Sequence, residues 1–253
     1  MSSCAMKKQF FTKNDLTHYL SDLEAAPGDF ITMCFKPAFS TDQLDMLAPE
    51  HAIHICEIKE SINTEAVVQG ARRYGTGAVI FWSEVGSKHI ILPPFPVTES
   101  KVLTGKIDTS VLREILERQC VIGVVLVTWG SYAIGIYDAG NMVESKVGTG
   151  YIHKKHRKGG RSEKRFARRT EEQKRDFLRR VGNRVDERFA HFTVDYIFFG
   201  GNRLIGKPLL QECRYLQARS DRISPRVLDV RYADREALAN SLHEITKSLV
   251  FSF

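Results

Sequence analysis

Hydrophobic and polar residues alternate along the chain with the periods of both strands and helices, which predicts an α/β protein. In the first part, Thr12 and Asp15 form a capping pair ahead of a helix that ends before Pro27. Further helices are predicted at 61–74 and 108–118, and strands are predicted at 29–35, 78–82 and 89–92.

The second part begins with a meander of three predicted strands. A continuous β-branched run at 121–128 is typical of a strand buried on both faces. Turn residues separate it from strands at 132–137 and 142–147. Downstream, the pattern predicts a strand at 193–199, a short helix at 204–211, a strand at 227–230 and a final helix that carries Leu238, Leu242, Ile245 and Leu249.

A long helix predicted from about 162 to 192 has two unlike halves. In its second half, an apolar stripe recurs every four residues at Phe177, Val181, Val185 and Phe189. Its first half contains no large apolar residue between Ala167 and Asp176. A helix half without a stripe buries nothing against its own domain, so we expect it to project into solvent or into a partner.

These elements divide into two predicted domains, an N-terminal α/β domain of unknown role at 1–115 and a second domain at 118–253. The 253 residues are 43% hydrophobic and 26% charged, which is typical of a folded protein. The longest apolar run is too short to span a membrane, and the first ten residues lack an apolar signal core. Five scattered cysteines form no CxxC pair. We therefore expect a cytoplasmic protein without disulfides, a metal or a membrane partner.

The net charge of +7 is concentrated in one segment. From His153 to Arg188 there are 15 Lys and Arg against 6 Asp and Glu, whereas the rest of the chain has 22 against 24. Such clustering is typical of a surface that binds a phosphate backbone, because each neutralised phosphate releases counterions. A solvated helix face or a disordered basic segment is the alternative interpretation.

A Gly-Gly pair lies inside this basic segment. Six basic or histidine residues lead into Gly159 and Gly160, and Ser162, which can cap a helix, follows them. Glycines permit close approach of a ligand to the backbone. This composition favours a loop that inserts into a nucleic-acid cavity and acts through backbone amides.

Residues 153–168, His-Lys-Lys-His-Arg-Lys-Gly-Gly-Arg-Ser-Glu-Lys-Arg-Phe-Ala-Arg, closely resemble the Gly-Gly-Gln loop and following helix of archaeal and eukaryotic class I peptide-chain release factors. They resemble more closely the Vms-type release factors of ribosome quality control, whose motif reads Gly-x-x-Gln. The resemblance covers roughly 118–253. It implies an RNase H-like α/β core in which a mixed sheet and helices carry a projecting Gly-Gly loop and a long helix.

The same resemblance implies a function. A protein of this type hydrolyses peptidyl-tRNA on stalled or split large ribosomal subunits, so its partners would be rRNA and peptidyl-tRNA. It would act as a monomer and without a cofactor. Stop-codon recognition is not expected, because the chain has no motif like Asn-Ile-Lys-Ser.

The resemblance also assigns roles to individual residues. Gly159 and Gly160 would shape the loop, and Glu163 would lie at the ester. The catalytic set comprises Gly159, Gly160, Arg161, Ser162 and Glu163. The RNA-binding set comprises His153, Lys154, Lys155, His156, Arg157, Lys158, Lys164, Arg165, Arg168 and Arg169. A packing role is the alternative for the two histidines.

Two positions depart from the motifs of these families. Arg161 stands where class I release factors carry Gln, and Glu163 stands where Vms-type proteins carry Gln. Glu163 keeps a backbone donor but adds a negative charge beside RNA phosphates. As a structural alternative, it complements the dipole at the start of a helix. Two further functions stay open: a non-catalytic ribosome or tRNA-binding rescue factor, and a nuclease that cleaves near the tRNA 3′ end.

Overall fold

The computed structural model describes residues 6–38, 44, 52–83, 86–152 and 161–253. Within them the chain forms two compact units. The first unit comprises Met1–Arg118 and Ile245–Phe253, and the second comprises Gln119–Glu244. Each unit combines a β-sheet with helices, so the predicted α/β class is confirmed.

The strands are β1 (Lys7–Phe11), β2 (Phe30–Phe35), β3 (Ala78–Ser83), β4 (Lys88–Leu92), β5 (Lys101–Gly105), β6 (Val121–Thr128), β7 (Ser131–Asp138), β8 (Asn141–Thr149), β9 (Tyr196–Gly201) and β10 (Ser248–Ser252). The helices are α1 (Lys13–Ala25), α2 (Ala52–Ile62), α3 (Glu65–Tyr74), α4 (Ser110–Glu117), α5 (Arg161–Phe189), α6 (Gly206–Glu212), α7 (Arg214–Ala218) and α8 (Arg235–Ile245).

The first unit is built on a sheet with strand order β1-β10-β4-β3-β2-β5, in which every neighbouring pair is antiparallel. The central strands β2 and β3 are buried along their whole length, which explains their nearly continuous apolar sequences. Phe35 and Trp82 from these strands belong to one core with Ile58 of α2 and Tyr74 of α3. Helices therefore cover this sheet and exclude water from its core.

The second unit has a mixed sheet with strand order β8-β7-β6-β9. The predicted meander forms the antiparallel part, and β9 pairs parallel to β6. Helices α5, α6 and α7 contribute to one core with β6, β7 and β9. On the opposite face, the Tyr137 hydroxyl donates a hydrogen bond to the carbonyl of Leu238 in α8. The sheet is thus covered on both faces, as its apolar central strands require.

Local signals predicted some helix boundaries correctly and missed others. The capping box at Thr12 is confirmed, since its hydroxyl accepts from Asp15 N at 3.2 Å and Thr12 N donates to the Asp15 carboxylate at 3.3 Å. The helix predicted at 61–74 is confirmed in its end at Tyr74 but was wrong in its start, because Ser61 and Ile62 belong to α2 and α3 begins at Glu65. The final predicted helix was also wrong at its end, since α8 stops at Ile245 and Leu249 pairs with Phe10 and Leu92 in the first unit's sheet. The predicted strand at 227–230 is reduced to an isolated bridge from Leu228 to Gly200.

None of the helices among the described residues combines the length and the apolar character needed to cross a bilayer. The long helix α5 is instead strongly polar along its first half.

His89 is a buried ionisable group in the first unit. It is 4% exposed on β4, and its Nδ1 lies 2.9 Å from the Tyr19 hydroxyl and 3.1 Å from the Ser252 hydroxyl. Its Nε2 is buried and has no hydrogen-bond partner among the described residues. Burial lowers the pKa of His89 from 6.5 to about 4. The folded state therefore holds this imidazole neutral where the unfolded chain binds a proton.

We predict that the free energy of unfolding of the first unit falls as the pH drops from 6.5 toward 4. The depressed pKa means that the stability from neutral His89 is present above 6.5 and is lost as protons bind the unfolded chain. The loss should be about 2 kcal/mol between pH 6.5 and about 5. Urea unfolding across this range measures it. His89→Gln should flatten the profile in that window, and an unchanged slope in the variant would contradict this assignment.

Candidate nucleic-acid interface

The two halves of α5 lie in different environments, as their sequences predict. Phe177 is 1% exposed, and Val181, Val185 and Phe189 are fully buried in the core of the second unit. By contrast, all residues from Arg165 to Arg169 are exposed, including Phe166 at 49%. The predicted projection of the first half, away from the core of its own unit, is confirmed for these residues.

Close backbone packing anchors the second half of α5. A Cβ atom added at Gly182 would lie 2.4 Å from the carbonyl oxygen of Glu212, so glycine lets α6 approach α5 closely. One turn further on, the Asp186 carboxylate accepts from Tyr215 N at 2.8 Å and from the Cys213 thiol at 3.1 Å. These contacts fix α5 to the start of α7. Burial, reinforced by Asp186, raises the pKa of Cys213 to about 12 and keeps its thiol protonated.

Arginines occupy the side of α5 opposite to the apolar stripe. Helical periodicity places Arg165, Arg168 and Arg169 on this side of the first half, and Arg175 and Arg179 continue it. Arg168 pairs with Glu172 at 3.1 Å, and Arg179 pairs with Asp176 at 3.2 Å. Exposed pairs of this kind contribute about 0–1 kcal/mol, so phosphate groups can replace the carboxylates.

Three arginines of this face, Arg165, Arg169 and Arg175, have no ion-pair partner in the part of the chain that the structure describes. No described carboxylate neutralises their charges. Arg165 and Arg169 are separated by one helical turn and therefore project in similar directions. This spacing suits contacts to successive phosphates of a nucleic-acid backbone.

Exposed aromatic side chains accompany these cations. Trp129 lies in the turn between β6 and β7 and is 36% exposed, and Tyr151 follows β8 and is 75% exposed. The Lys174 ammonium lies 5.1 Å from the centre of the Trp129 ring, a cation–π contact that links this turn to α5. Aromatic faces beside cations are typical of surfaces that bind single-stranded RNA.

The predicted site residues fall into three groups. The segment His153–Gly160, which contains the basic run and both loop glycines, lies outside the described residues. For 161–164 the structure describes the helical backbone, and these residues form the first turn of α5. Arg165, Arg168 and Arg169 are described with their side chains and share the exposed face.

A cleft at the base of the projecting half was not predicted from the sequence. It encloses about 350 Å³ and is lined by Tyr132, Thr149, Phe177, Arg180, Asn183 and Arg184. Arg184 donates to Glu187 at 2.6 Å, and this hydrogen bond holds the pKa of that carboxyl below its usual value. Arg180 has no ion-pair partner among the described side chains. Two guanidinium groups beside an amide and a hydroxyl form a surface that suits a phosphate.

Two glycines allow this cleft to form. A Cβ added at Gly148 would lie 2.5 Å from the Tyr132 ring, and one added at Gly150 would lie 2.5 Å from Phe177 Cδ2 and 2.8 Å from Arg180 Nη2. The sequence contains a signal for this close packing, because two glycines that are two residues apart in an extended segment lie on the same side of it. The sequence alone does not show which side chains face them.

No group of three or more His, Cys, Asp or Glu side chains that could hold a metal ion occurs among the described residues. The chemical character of the described surface is cationic and aromatic, which suits an anionic polymer.

Comparison with known proteins identifies the family. Residues 121–250 match the model of the Actinobacteria/chloroflexi VLRF1 release factor family, and the chain belongs to this family. A curated relative, peptide chain release factor subunit 1 of Aeropyrum pernix, is 24% identical over 160 residues, which are 61% of this chain and 43% of that protein. The chain thus spans less than half of the length of this relative.

Two solved structures also resemble the chain. The archaeal translation termination factor aRF1 is 18% identical, with 93% of this chain and 70% of that chain covered and a TM-score of 0.40. Pelota of Archaeoglobus fulgidus is 11% identical, with 96% and 65% covered and a TM-score of 0.32.

Gly150→Ala should destabilise the second unit by about 1–3 kcal/mol, because its methyl group overlaps the buried Phe177 ring. Urea unfolding followed by a probe in this unit measures the loss. The matched control is Gly206→Ala, whose Cβ meets nothing within 4 Å. Equal stability of the two variants would show that the cleft tolerates a side chain and would contradict the packing argument.

Arg165→Ala combined with Arg169→Ala should weaken tRNA binding and lower the slope of log affinity against log salt concentration by about 1.5, since two phosphate contacts disappear. Fluorescence anisotropy with labelled tRNA at several salt concentrations measures both quantities.

The control for this experiment is Arg72→Ala combined with Arg73→Ala, two exposed arginines at the end of α3. It removes the same charge from the other unit. A loss of affinity and salt slope as large in the control as in the α5 variant would show a general charge effect and would contradict the interface.

Proposed function

We propose that this protein is a Vms-type peptidyl-tRNA hydrolase that releases nascent chains from tRNA on stalled or split large ribosomal subunits. The observation that carries the proposal is the arginine-bearing, unburied first half of α5, which directly follows the Gly-Gly loop in a chain of a release factor family. A buried helix of the same sequence could not present these charges to RNA.

The length of α5 allows its first residues to lie far from the core of the second unit. Its apolar anchor begins at Phe177, and its first residue is Arg161. The sixteen helical steps of 1.5 Å between them correspond to about 24 Å of helix. A loop carried on such a projection can enter a narrow RNA cavity while the folded unit stays outside. The arginines along the projection would then pair with phosphates that line its path.

The proposed chemistry uses backbone donors at the start of α5. The first turn of an α-helix leaves N–H groups without acceptors inside the helix, and the helix dipole adds positive potential there. Glu163 lies in this turn. Its N–H would stabilise the oxyanion that forms when water attacks the ester carbonyl. The ester bond then breaks, the peptide leaves as a carboxylic acid, and the ribose oxygen of the tRNA takes up a proton.

Each residue of the predicted site has a place in this proposal. Gly159 and Gly160 allow the loop backbone to approach the ester, and Arg161 and Ser162 begin the helix that follows. The cations from Lys154 to Lys158, together with Lys164, Arg165, Arg168 and Arg169, hold rRNA or the tRNA acceptor end. For His153 and His156, the role we assign is stacking on bases or insertion between phosphates.

One observation favours a second candidate, a rescue factor that binds the ribosome without hydrolysis. Glu163 places a carboxylate where Vms-type proteins carry an uncharged amide. A carboxylate beside RNA phosphates loses solvation and gains repulsion, which opposes close approach to the ester unless a cation neutralises it.

The deciding experiment incubates the full chain with large ribosomal subunits that carry labelled peptidyl-tRNA. We expect free peptide and intact tRNA. Glu163→Gln should retain or raise the rate, because the amide keeps the shape and removes a desolvated charge. Gly160→Ala should lower the rate at unchanged subunit binding if the loop requires a conformation reserved for glycine.

Other products would assign other functions. Subunit binding without release by any of the three proteins would establish the non-catalytic factor, and peptide attached to a shortened tRNA end would establish the nuclease. A loss of roughly a hundredfold in Glu163→Gln would overturn the backbone mechanism and make Glu163 a general base.

A further inference from the structure

A second cavity lies in the second unit, where the parallel strands β6 and β9 end. It encloses about 270 Å³, and its lining includes Val127 of β6 and Gly200 of β9. The loop after β9 is held in place by two hydrogen bonds, from Asn202 N to Val127 O and from Leu204 N to Asn202 Oδ1, both 3.0 Å long. In open α/β sheets, ligands bind preferentially beyond the carboxyl ends of parallel strands.

The walls of this cavity are mostly aliphatic. Ile205 and Leu210 line the side of α6, and Ile223 and Val227 line the side of the segment that bridges to β9. Its volume is slightly below the roughly 300–1,000 Å³ of sites for drug-sized ligands. The size and lining suit one or two branched aliphatic side chains better than a complete cofactor.

Two cations flank the apolar walls. Arg203 and Lys207 line the cavity and are exposed, and neither has an ion-pair partner among the described residues. Leu204 lies between them in the sequence and is 80% exposed, the largest exposure of any large hydrophobic side chain that the structure describes. A loop that presents a leucine between two unneutralised cations matches an acidic and aliphatic partner in both charge and polarity.

We propose that this cavity docks a short acidic segment of a partner protein. One large aliphatic side chain of the segment fills the cavity, and carboxylates on either side of it pair with Arg203 and Lys207. Arginine suits this role, because its guanidinium binds a carboxylate through two parallel hydrogen bonds.

The lining favours a peptide over RNA. Unstacked bases are held by aromatic side chains or by arginine planes, and Phe199 is the single aromatic residue of this lining. Aliphatic walls offer a base little stacking, whereas they match a leucine or isoleucine side chain. The proposal is independent of the hydrolysis proposed above, since it involves neither the Gly-Gly loop nor the arginines of α5.

The test is an NMR titration of the full, isotope-labelled chain with the peptide acetyl-Gly-Asp-Glu-Leu-Glu-Asp-Gly-amide. We expect saturable shifts confined to amides at 200–210 and 223–228, with a dissociation constant of roughly 1 mM or below. A peptide with Ser in place of Leu, and one with Asn and Gln in place of the acidic residues, should each bind at least about fivefold more weakly.

Variants of the protein test the two halves of the site separately. A Cβ at Gly206 meets nothing within 4 Å, so Gly206→Leu should fill the cavity and abolish binding without loss of stability. Arg203→Ala combined with Lys207→Ala should weaken binding roughly tenfold. The charge-matched control, Arg72→Ala combined with Arg73→Ala, should bind like the wild type.

Several outcomes would overturn the proposal. They are the absence of saturable shifts with the acidic leucine peptide, equal binding of the serine peptide, and unchanged binding in both the filled and the uncharged variants. Shifts of the same amides with hexauridylate, while the peptide leaves them unchanged, would make the cavity an RNA contact. Should Gly206→Leu unfold the chain, the double variant and the peptide pair still decide the question.

Discussion

The burial of the second half of α5 is the constraint on which the rest of the second unit depends. Phe177, Val181, Val185 and Phe189 present one continuous stripe to the sheet, and Gly182 allows α6 to pack at backbone distance. A stripe of this length fixes the direction of the helix axis. The first half lacks such a stripe, and its residues Arg165–Arg169 are exposed, so it extends along the direction that the anchored half sets.

In the proposed function, this arrangement assigns RNA binding to the first half of α5 and positioning to the second half. Arginines opposite to the stripe stay exposed because the stripe determines which side faces the core. Exposed ion pairs along the helix keep part of this charge compensated in the free protein, and they are weak enough to exchange for phosphate. The cleft formed by Arg180 and Arg184 lies where the projection meets the sheet, so cationic surface continues from the projecting half to the body of the unit.

Periodic patterns predicted the features that depend on neighbours in sequence. The four-residue spacing from Phe177 to Phe189 predicted both the buried and the exposed half of α5, and the β-branched run at 121–128 predicted the central strand. Features set by distant segments were missed. A helical spacing relates Leu238, Leu242, Ile245 and Leu249. Leu249 nevertheless lies in a strand, because it pairs with β1 and β4, which come from the first part of the chain.

The same difference between features set by sequence neighbours and features set by distant segments applies to the candidate site. Charge clustering and the Gly-Gly pair pointed to the basic segment, because both are local properties of the sequence. The side chains that line the cleft around Arg180 were not predictable, since they depend on Gly150 lying against Phe177, a contact between residues far apart in the chain. The cavity lined by Val127 and Gly200 likewise needs the ends of β6 and β9 to be adjacent, which the parallel pairing of these strands provides.

The most direct test of the central claim is a cryo-electron microscopy structure of the protein on a large ribosomal subunit that carries peptidyl-tRNA. The proposed function predicts that rRNA surrounds the first half of α5, with Arg165 and Arg169 on phosphates and residues 159–163 beside the ester at the tRNA 3′ end. A complex in which α5 faces solvent, and another surface of the protein contacts the subunit, would contradict it.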